Sequence, residues 1–262
     1  MVSGPETPNL SWARRRFLKC RHFTQLDPDP QKNPPKQLEN LLAKISACKP
    51  ATDAIIVAGS QNVNAQNILD CIDGALNTGF PVYAAPSSPK QVSKNLFDLV
   101  LGESVTLLLY HAINAQNPKY ITRPHAEFEA LLYKKGTNLD KHRIDIGYIV
   151  LNRECAVGAL TKPDLCESRL VGYVLAAARK YPVVYLEGSG EVIPADILGK
   201  VSGVLFQQGL SAYLLVGGGI GCSKSAERAL KYADGIVVGK VLEDKNYDGY
   251  KGTIKAAKKL DK

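Results

Sequence analysis

The sequence predicts an α/β fold: a (β/α)8 barrel of the TIM type, with phosphate-binding loops after strands six to eight. Three observations carry this expectation. Val183–Glu187 runs into Gly188-Ser189-Gly190, Leu214–Val216 into Gly217-Gly218-Gly219-Ile220, and Gly235–Val238 into Gly239-Lys240. Short apolar runs that stop at glycine read as buried parallel strands opening into tight loops. Strand and helix patterns also alternate at roughly even spacing along 262 residues, near the ~250 residues typical of such a barrel. Finally, the glycines cluster after the last strands, where barrels place phosphate sites. A doubly wound open sheet, the rival architecture, would carry its glycine fingerprint after the first strand. No long linker or repeat divides the chain. Residues 1–262 are therefore expected to form one domain, with 1–20 an N-terminal extension bearing a short helix.

Residues 1–10 are polar and carry Pro5 and Pro8, and Leu10 to Lys19 suits a short basic helix. Its Arg14-Arg15-Arg16 run is more often a solvated face than a nucleic-acid patch. The first strand is His22–Leu26, ending at Asp27-Pro28-Asp29-Pro30. Two carboxylates there could hold Mg²⁺, which favours hard oxygen ligands; taken alone, an Asp-Pro turn is the better reading. A helix follows over Gln37–Ala47, and the second strand, Asp53–Ala58, ends at Gly59-Ser60. The helix Asn67–Asn77 leads to a third strand, Phe80–Ala85, weakened by Pro81. A helix over Lys90–Val100 precedes the fourth strand, Val105–Tyr110, whose exit runs through His111, Asn114 and Asn117-Pro118 to Tyr120. A helix over His125–Lys134 and a polar link near Gly136 lead to the fifth strand, Ile146–Leu151. Cys166–Lys180 is a strong helix with an apolar Val171, Val174, Leu175, Ala178 face. Ser223–Tyr232 lies between the seventh and eighth strands, and Lys251–Leu260 is the last helix.

Composition narrows the function. Hydrophobic content of 45% and charged content of 22% are those of a globular protein. No apolar run reaches membrane-span length, and no apolar stretch after the arginines suits a leader. Six cysteines stand without CxxC spacing and four histidines without metal-ligand spacing. They read as reduced thiols of a cytoplasmic protein, not as disulfides or a zinc site. The net charge of +8 favours anionic partners. Aromatics are only 7% and do not interleave with a basic run, so nucleic acid is not expected. Small phosphorylated ligands and peripheral contact with an anionic membrane both fit. Glycine lets backbone N–H groups approach an anion, and a following helix adds its dipole. One glycine-ended strand could be a mere tight turn; three in succession point to a phosphate cradle.

The stretches His22–Asp29, Asp53–Asn64, Asn114–Ile121, Gly147–Thr161, Tyr185–Gly190, Val216–Ile220 and Ala233–Gly239 resemble the geranylgeranylglyceryl / heptaprenylglyceryl phosphate synthase family. Tyr-Leu-Glu followed by Ser-Gly, with a later Gly-Gly-Gly-Ile, carries most of the resemblance. The spacing of Tyr185–Gly190 looks like that of the bacterial members. The resemblance implies Mg²⁺-dependent transfer of a prenyl group from a polyprenyl diphosphate to the hydroxyl of sn-glycerol 1-phosphate. It also implies a homo-oligomer. Asp27 matches the family's metal-binding aspartate and Ser60 a second metal contact. Tyr185, Leu186, Glu187, Gly188, Ser189 and Gly190 match the block that holds the glycerol. Gly218, Gly219 and Gly239 match phosphate contacts, and Lys240 follows them directly. Departures stand at Gln25, Pro30 and Gly221, where members commonly carry a cation, and at Lys240, where they carry asparagine.

Residue chemistry agrees with this. Diphosphate leaves an allylic carbon readily once its charge is neutralised, which Mg²⁺ does. The acceptor hydroxyl needs a base, and Glu187 ends a strand at the rim where barrels carry their sites; its bland alternative is a salt bridge to a rim lysine. Three other functions remain open on sequence alone. They are prenyl transfer to a different acceptor or to none, with cyclisation or hydrolysis; a non-catalytic phosphate-binding scaffold; and a sugar-phosphate isomerase. The scaffold need not keep Asp27, Ser60 and Glu187 together, and the isomerase would want a second carboxylate across the barrel.

Overall fold

A computed structural model of the chain describes residues 11–59 and 61–259. Eight parallel strands close into a barrel in sequence order, each paired with the next and β8 returning to β1. They are β1 His22–Leu26, β2 Ala54–Gly59, β3 Val82–Pro86, β4 Val105–Ala112, β5 Arg143–Val150, β6 Val183–Glu187, β7 Tyr213–Gly217 and β8 Gly235–Val238. Around them run α1 Trp12–Phe17, α2 Pro35–Ala47, α3 Ala65–Leu76, α4 Lys94–Leu101, α5 Arg123–Lys135, α6 Ala156–Thr161, α7 Glu167–Lys180, α8 Ala195–Gln207, α9 Ser223–Leu230, α10 Lys240–Glu243 and α11 Tyr247–Lys259. The expected barrel is thus present.

Period-two alternation sorts the strand residues into two cores. Inward positions, among them Phe23, Ile56, Tyr83, Leu108, Ile146, Tyr148, Tyr185 and Leu215, fill the barrel. Outward positions, among them Leu26, Val57, Leu107, Leu186, Val216 and Val238, pack under the helices. Because both faces of each strand are covered, the strands read as nearly unbroken apolar runs.

Several elements differ from expectation. β4 continues two residues beyond Tyr110, to Ala112. α8 has no counterpart in the sequence reading, because Gly199 and Gly203 interrupt its helical pattern. α6 and α10, of six and four residues, are too brief to show periodicity. On α7 the buried face is Leu170, Val174 and Ala177, rotated from the expected Val171, Val174, Leu175, Ala178 set. The cause lies on β5: a Cβ at Gly147 would meet Ala177 Cβ at 2.7 Å and Tyr181 Cδ2 at 3.0 Å. The missing side chain draws α7 in along the Ala177–Tyr181 line. The N-terminal helix α1 is more than an extension. Phe17 is fully buried and packs on Phe23, Tyr83 and Tyr213, so α1 plugs the N-terminal end of the barrel. Arg15 and Arg16 remain exposed, as a solvated face should.

Candidate active site

The C-terminal ends of the strands open into a cavity of about 830 Å³, within the range of small-ligand sites. Its polar side is lined by Asp27, Lys32, Glu187, Ser189, Lys240 and Glu243. Its other side is apolar: Pro86, Leu109, Ala112, Phe128, Val157 and Leu160. Leu109 and Phe128 belong to the outer core, so this arm leaves the barrel axis and runs toward the helix layer.

Glu187 ends β6 and points inward beside the β5 register partners of its strand. Its Oε2 accepts a hydrogen bond from Tyr185 Oη at 2.6 Å, and its Oε1 accepts from the Ser189 backbone N–H at 2.5 Å. The rim salt bridge to lysine that sequence left open is absent among the described residues. Burial raises the carboxyl's pKa above its ordinary value, against the lowering effect of those two donors. Desolvation therefore dominates and makes Glu187 a stronger base than a solvated carboxylate.

Glycine is required where β6 and β7 end. A Cβ at Gly217 would strike Tyr185 Oη, so the bare backbone there makes room for the phenol that holds Glu187. Gly218 adopts φ +95°, and a Cβ on it would strike the Ser189 backbone nitrogen. The two loops thus lie against one another, tied by the Gly188 N–H donating to the Gly217 carbonyl at 2.9 Å. Ser189, Gly190, Gly218, Gly219, Gly239 and Lys240 all line the cavity, and the three expected phosphate loops meet at one rim. Gly188 is buried behind that rim. Leu186 is a correction: it is fully buried in the outer core, because period two turns it away from the mouth while Tyr185 and Glu187 point in.

Across the mouth, Asp27 accepts from Lys32 Nζ at 2.6 Å and from the Asp29 N–H at 3.1 Å. Asp29 turns away: it is buried and accepts from the Gln31 N–H and from Asn62. The Asp27/Asp29 pair is therefore no two-carboxylate site, and the Asp-Pro turn reading holds for Asp29. Asp27 abuts the end of β2, since a Cβ at Gly59 would meet its Oδ1 at 2.5 Å. The expected metal contact Ser60, one residue further, lies outside the described residues. Glu243 is the second carboxylate at this corner; burial first, then Asp27, raises its pKa, and Lys32 lowers it.

A family model described as the PcrB family matches residues 15–258. The chain belongs to the PcrB family. A geranylgeranylglyceryl phosphate synthase from Methanospirillum hungatei is 30% identical over 243 residues, covering 90% of this chain and 95% of its own. A heptaprenylglyceryl phosphate synthase from Bacillus cytotoxicus is 31% identical over 245 residues, covering 92% and 97%. Archaeal and bacterial members thus match equally well. Among solved structures, a geranylgeranylglyceryl phosphate synthase from Thermoplasma acidophilum superposes with a TM-score of 0.74 at 21% identity, covering 94% of this chain and 96% of that one. That likeness shows the fold. The PcrB chain is accordingly an enzyme of the prenyltransferase class. No helix among the described residues is long and apolar enough to cross a membrane.

Sequence reasoning missed several lining residues of this PcrB site. Tyr110 and Tyr148 stack with ring centroids 5.0 Å apart, and both pack on Tyr185. Tyr148 stands directly opposite Tyr185 in the β5–β6 register. Extending the inward parity of Tyr185 to the neighbouring strands would have found it. Glu243 sits on a helix too short to show a pattern.

Proposed function

We propose that this protein moves a prenyl group from a polyprenyl diphosphate to the hydroxyl of sn-glycerol 1-phosphate, forming an ether. One observation carries the reading. A half-buried carboxylate, Glu187, is fixed by two hydrogen bonds between a glycine-lined rim suited to phosphate and an apolar arm suited to a hydrocarbon. The Thermoplasma acidophilum structure is described as a complex with sn-glycerol-1-phosphate, which supports the acceptor.

The residues divide the work as follows. The loops of Ser189-Gly190, Gly218-Gly219 and Gly239 take the acceptor phosphate, with backbone approach that side chains would block. Tyr185 and the Ser189 N–H orient Glu187, which accepts the acceptor's proton as its oxygen bonds to the allylic carbon. Leu109, Ala112, Phe128 and Leu160 take the prenyl chain and keep water away.

Mg²⁺ belongs to this proposal. Among the described residues no group of three His, Cys, Asp or Glu could hold a metal. That suits an ion that binds through one or two carboxylates together with substrate phosphates. Asp27, already drawing a cation in Lys32, would hold it. Bound there, Mg²⁺ supplies charge neutralisation for the leaving diphosphate.

The test is a product assay with a panel of prenyl diphosphates and phosphorylated acceptors, with Mg²⁺ or with EDTA. An ether phosphate is expected from sn-glycerol 1-phosphate in Mg²⁺ alone. Free prenol or a cyclised hydrocarbon as sole product would overturn the acceptor, and no consumption of any prenyl diphosphate would overturn the whole reading.

A further inference from the structure

Tyr110 is not explained by stability. It stands near the end of β4, its ring lines the cavity, and its Oη is buried without a hydrogen-bond partner among the described residues. A buried hydroxyl left unpaired destabilises a fold, so phenylalanine would pack there at lower cost. What Tyr110 has instead is a place. Its strand neighbours Leu109 and Ala112 line the apolar arm. Its ring meets that of Tyr185 at 5.8 Å and 71°, and the Tyr185 hydroxyl holds Glu187. Tyr110 therefore spans the junction between base and hydrocarbon arm. The allylic carbon must lie at that junction if its chain fills the arm while the acceptor oxygen stands at Glu187.

We propose that Tyr110 is a catalytic residue of prenyl transfer, its electron-rich ring stabilising the allylic carbon as diphosphate departs. The inference rests on the prenyl-transfer reading above. The bond from the allylic carbon to the diphosphate oxygen breaks, and its electron pair leaves with the diphosphate. The carbon bears positive charge until a lone pair of the acceptor oxygen forms the new bond and the proton passes to the Glu187 carboxylate. Between those events the charge sits in a water-poor cavity. There the face of an aromatic ring attracts a cation more strongly than at an exposed site. Tyr148, stacked on Tyr110 at 16°, and Tyr185 complete an aromatic wall and hold the Tyr110 ring in place. Burial keeps all three phenols neutral, so the wall offers ring electrons and no competing anion.

The test separates ring electrostatics from packing. In Tyr110→Leu, kcat is expected to fall on the order of 30-fold, with little change in KM for the prenyl diphosphate. Fluorinated phenylalanines installed at position 110 keep the shape and progressively withdraw electron density. With phenylalanine as reference, log kcat is expected to fall with each added fluorine. A flat series, while the wild-type enzyme transfers prenyl groups normally, overturns the role of Tyr110 and leaves the proposed function standing. A wild-type enzyme that transfers nothing overturns both. Should Tyr110→Leu fail to fold, the isosteric fluorinated series decides alone.

Discussion

The two ends of the barrel differ in what fills them: side chains at one, a cavity at the other. At the N-terminal end, α1 inserts Phe17 among Phe23, Tyr83 and Tyr213. Several polar groups there are paired, although Tyr83 Oη and Trp12 Nε1 are buried without a partner among the described residues. His22 is fully buried, with Nδ1 2.9 Å from Thr52 Oγ1 and Nε2 2.9 Å from Thr253 Oγ1. Asp53 accepts from the Arg21 and His22 N–H groups and from Lys258. At the C-terminal end, half-buried Glu187 is held against a desolvation cost, and Tyr110 carries a phenol unpaired among the described residues. Among the described residues, Asp27 has one half-exposed lysine, Lys32, for its counter-charge. At one end the paired groups tie β1 and the segment before β2 to α11, away from the cavity; at the other Asp27, Tyr110, Glu187 and Glu243 line the cavity, where a ligand can meet them. That division is the one expected of barrel enzymes, where the C-terminal face carries chemistry and the N-terminal face stability.

Substitutions at the mouth should therefore cost activity and spare the fold. The largest loss is expected in Asp27→Ala. Removing the carboxylate that would hold Mg²⁺ forfeits several kcal/mol of charge stabilisation, on the order of 10³-fold or more in kcat. Thermal unfolding should stay close to wild type. Near-normal turnover in this variant would end the assignment of Asp27. Glu187→Gln comes next, with a loss of about 10²–10⁴-fold expected for a positioned base. Prenyl diphosphate binding, followed by calorimetry, should persist. A hydrolysed or cyclised prenyl product formed at full rate by Glu187→Gln would show that no acceptor is deprotonated there.

The base of the barrel should show the reverse pattern, and His22 tests it through pH. Burial, its largest influence, lowers the pKa of His22 from 6.5 to about 3. The folded state thus binds fewer protons than the unfolded chain between those values. The stability contributed by neutral His22 is present above pH 6.5 and is lost as pH falls toward about 3. One proton corresponds to a slope of about 1.4 kcal/mol per pH unit. His125, lowered to about 4 by burial and then by His111, titrates in the same window, so the His22 share must be read as a difference. Urea unfolding of wild type and His22→Gln across pH 7 to 4 should show a shallower slope in the variant. Parallel slopes would mean that His22 is not the proton-linked group.

The barrel was legible in the sequence because each strand is apolar on both faces and ends at a marked breaker. Val183–Glu187 and Gly235–Val238 match their observed bounds for that reason. The rim glycines were legible because only glycine tolerates the Gly218 backbone or leaves room beside Tyr185 at Gly217. Other parts depend on distances that no linear pattern encodes. Leu186 sits in a motif beside two site residues, and only period two removes it from the mouth. Lys32 reaches Asp27 across five residues of a turn. Tyr110, Phe128 and Leu160 come from separate strands and helices and share only a cavity wall.

The smallest effect sharpens the comparison within the mouth itself. A phosphate monoester carries about −1.5 to −2 charge near neutral pH. Backbone groups at Gly218, Gly219 and Gly239 offer dipoles but no full charge. Gln25 lines the cavity with an uncharged side chain, and Gly221 brings no charge either. Lys240 opens α10 at the cavity edge, its side chain 67% exposed and its Nζ 3.9 Å from Asp244. That contact is long, so the ammonium is available to a phosphate at modest cost in pairing. An exposed charge acts through a screened field, which limits its worth. Lys240→Asn should therefore weaken sn-glycerol 1-phosphate binding by about 3- to 10-fold at low ionic strength, and 0.5 M salt, where the Debye length is only about 4 Å, should erase most of the difference. Equal acceptor affinity in both proteins at low salt would assign Lys240 to the solvent and leave the cradle to backbone dipoles alone.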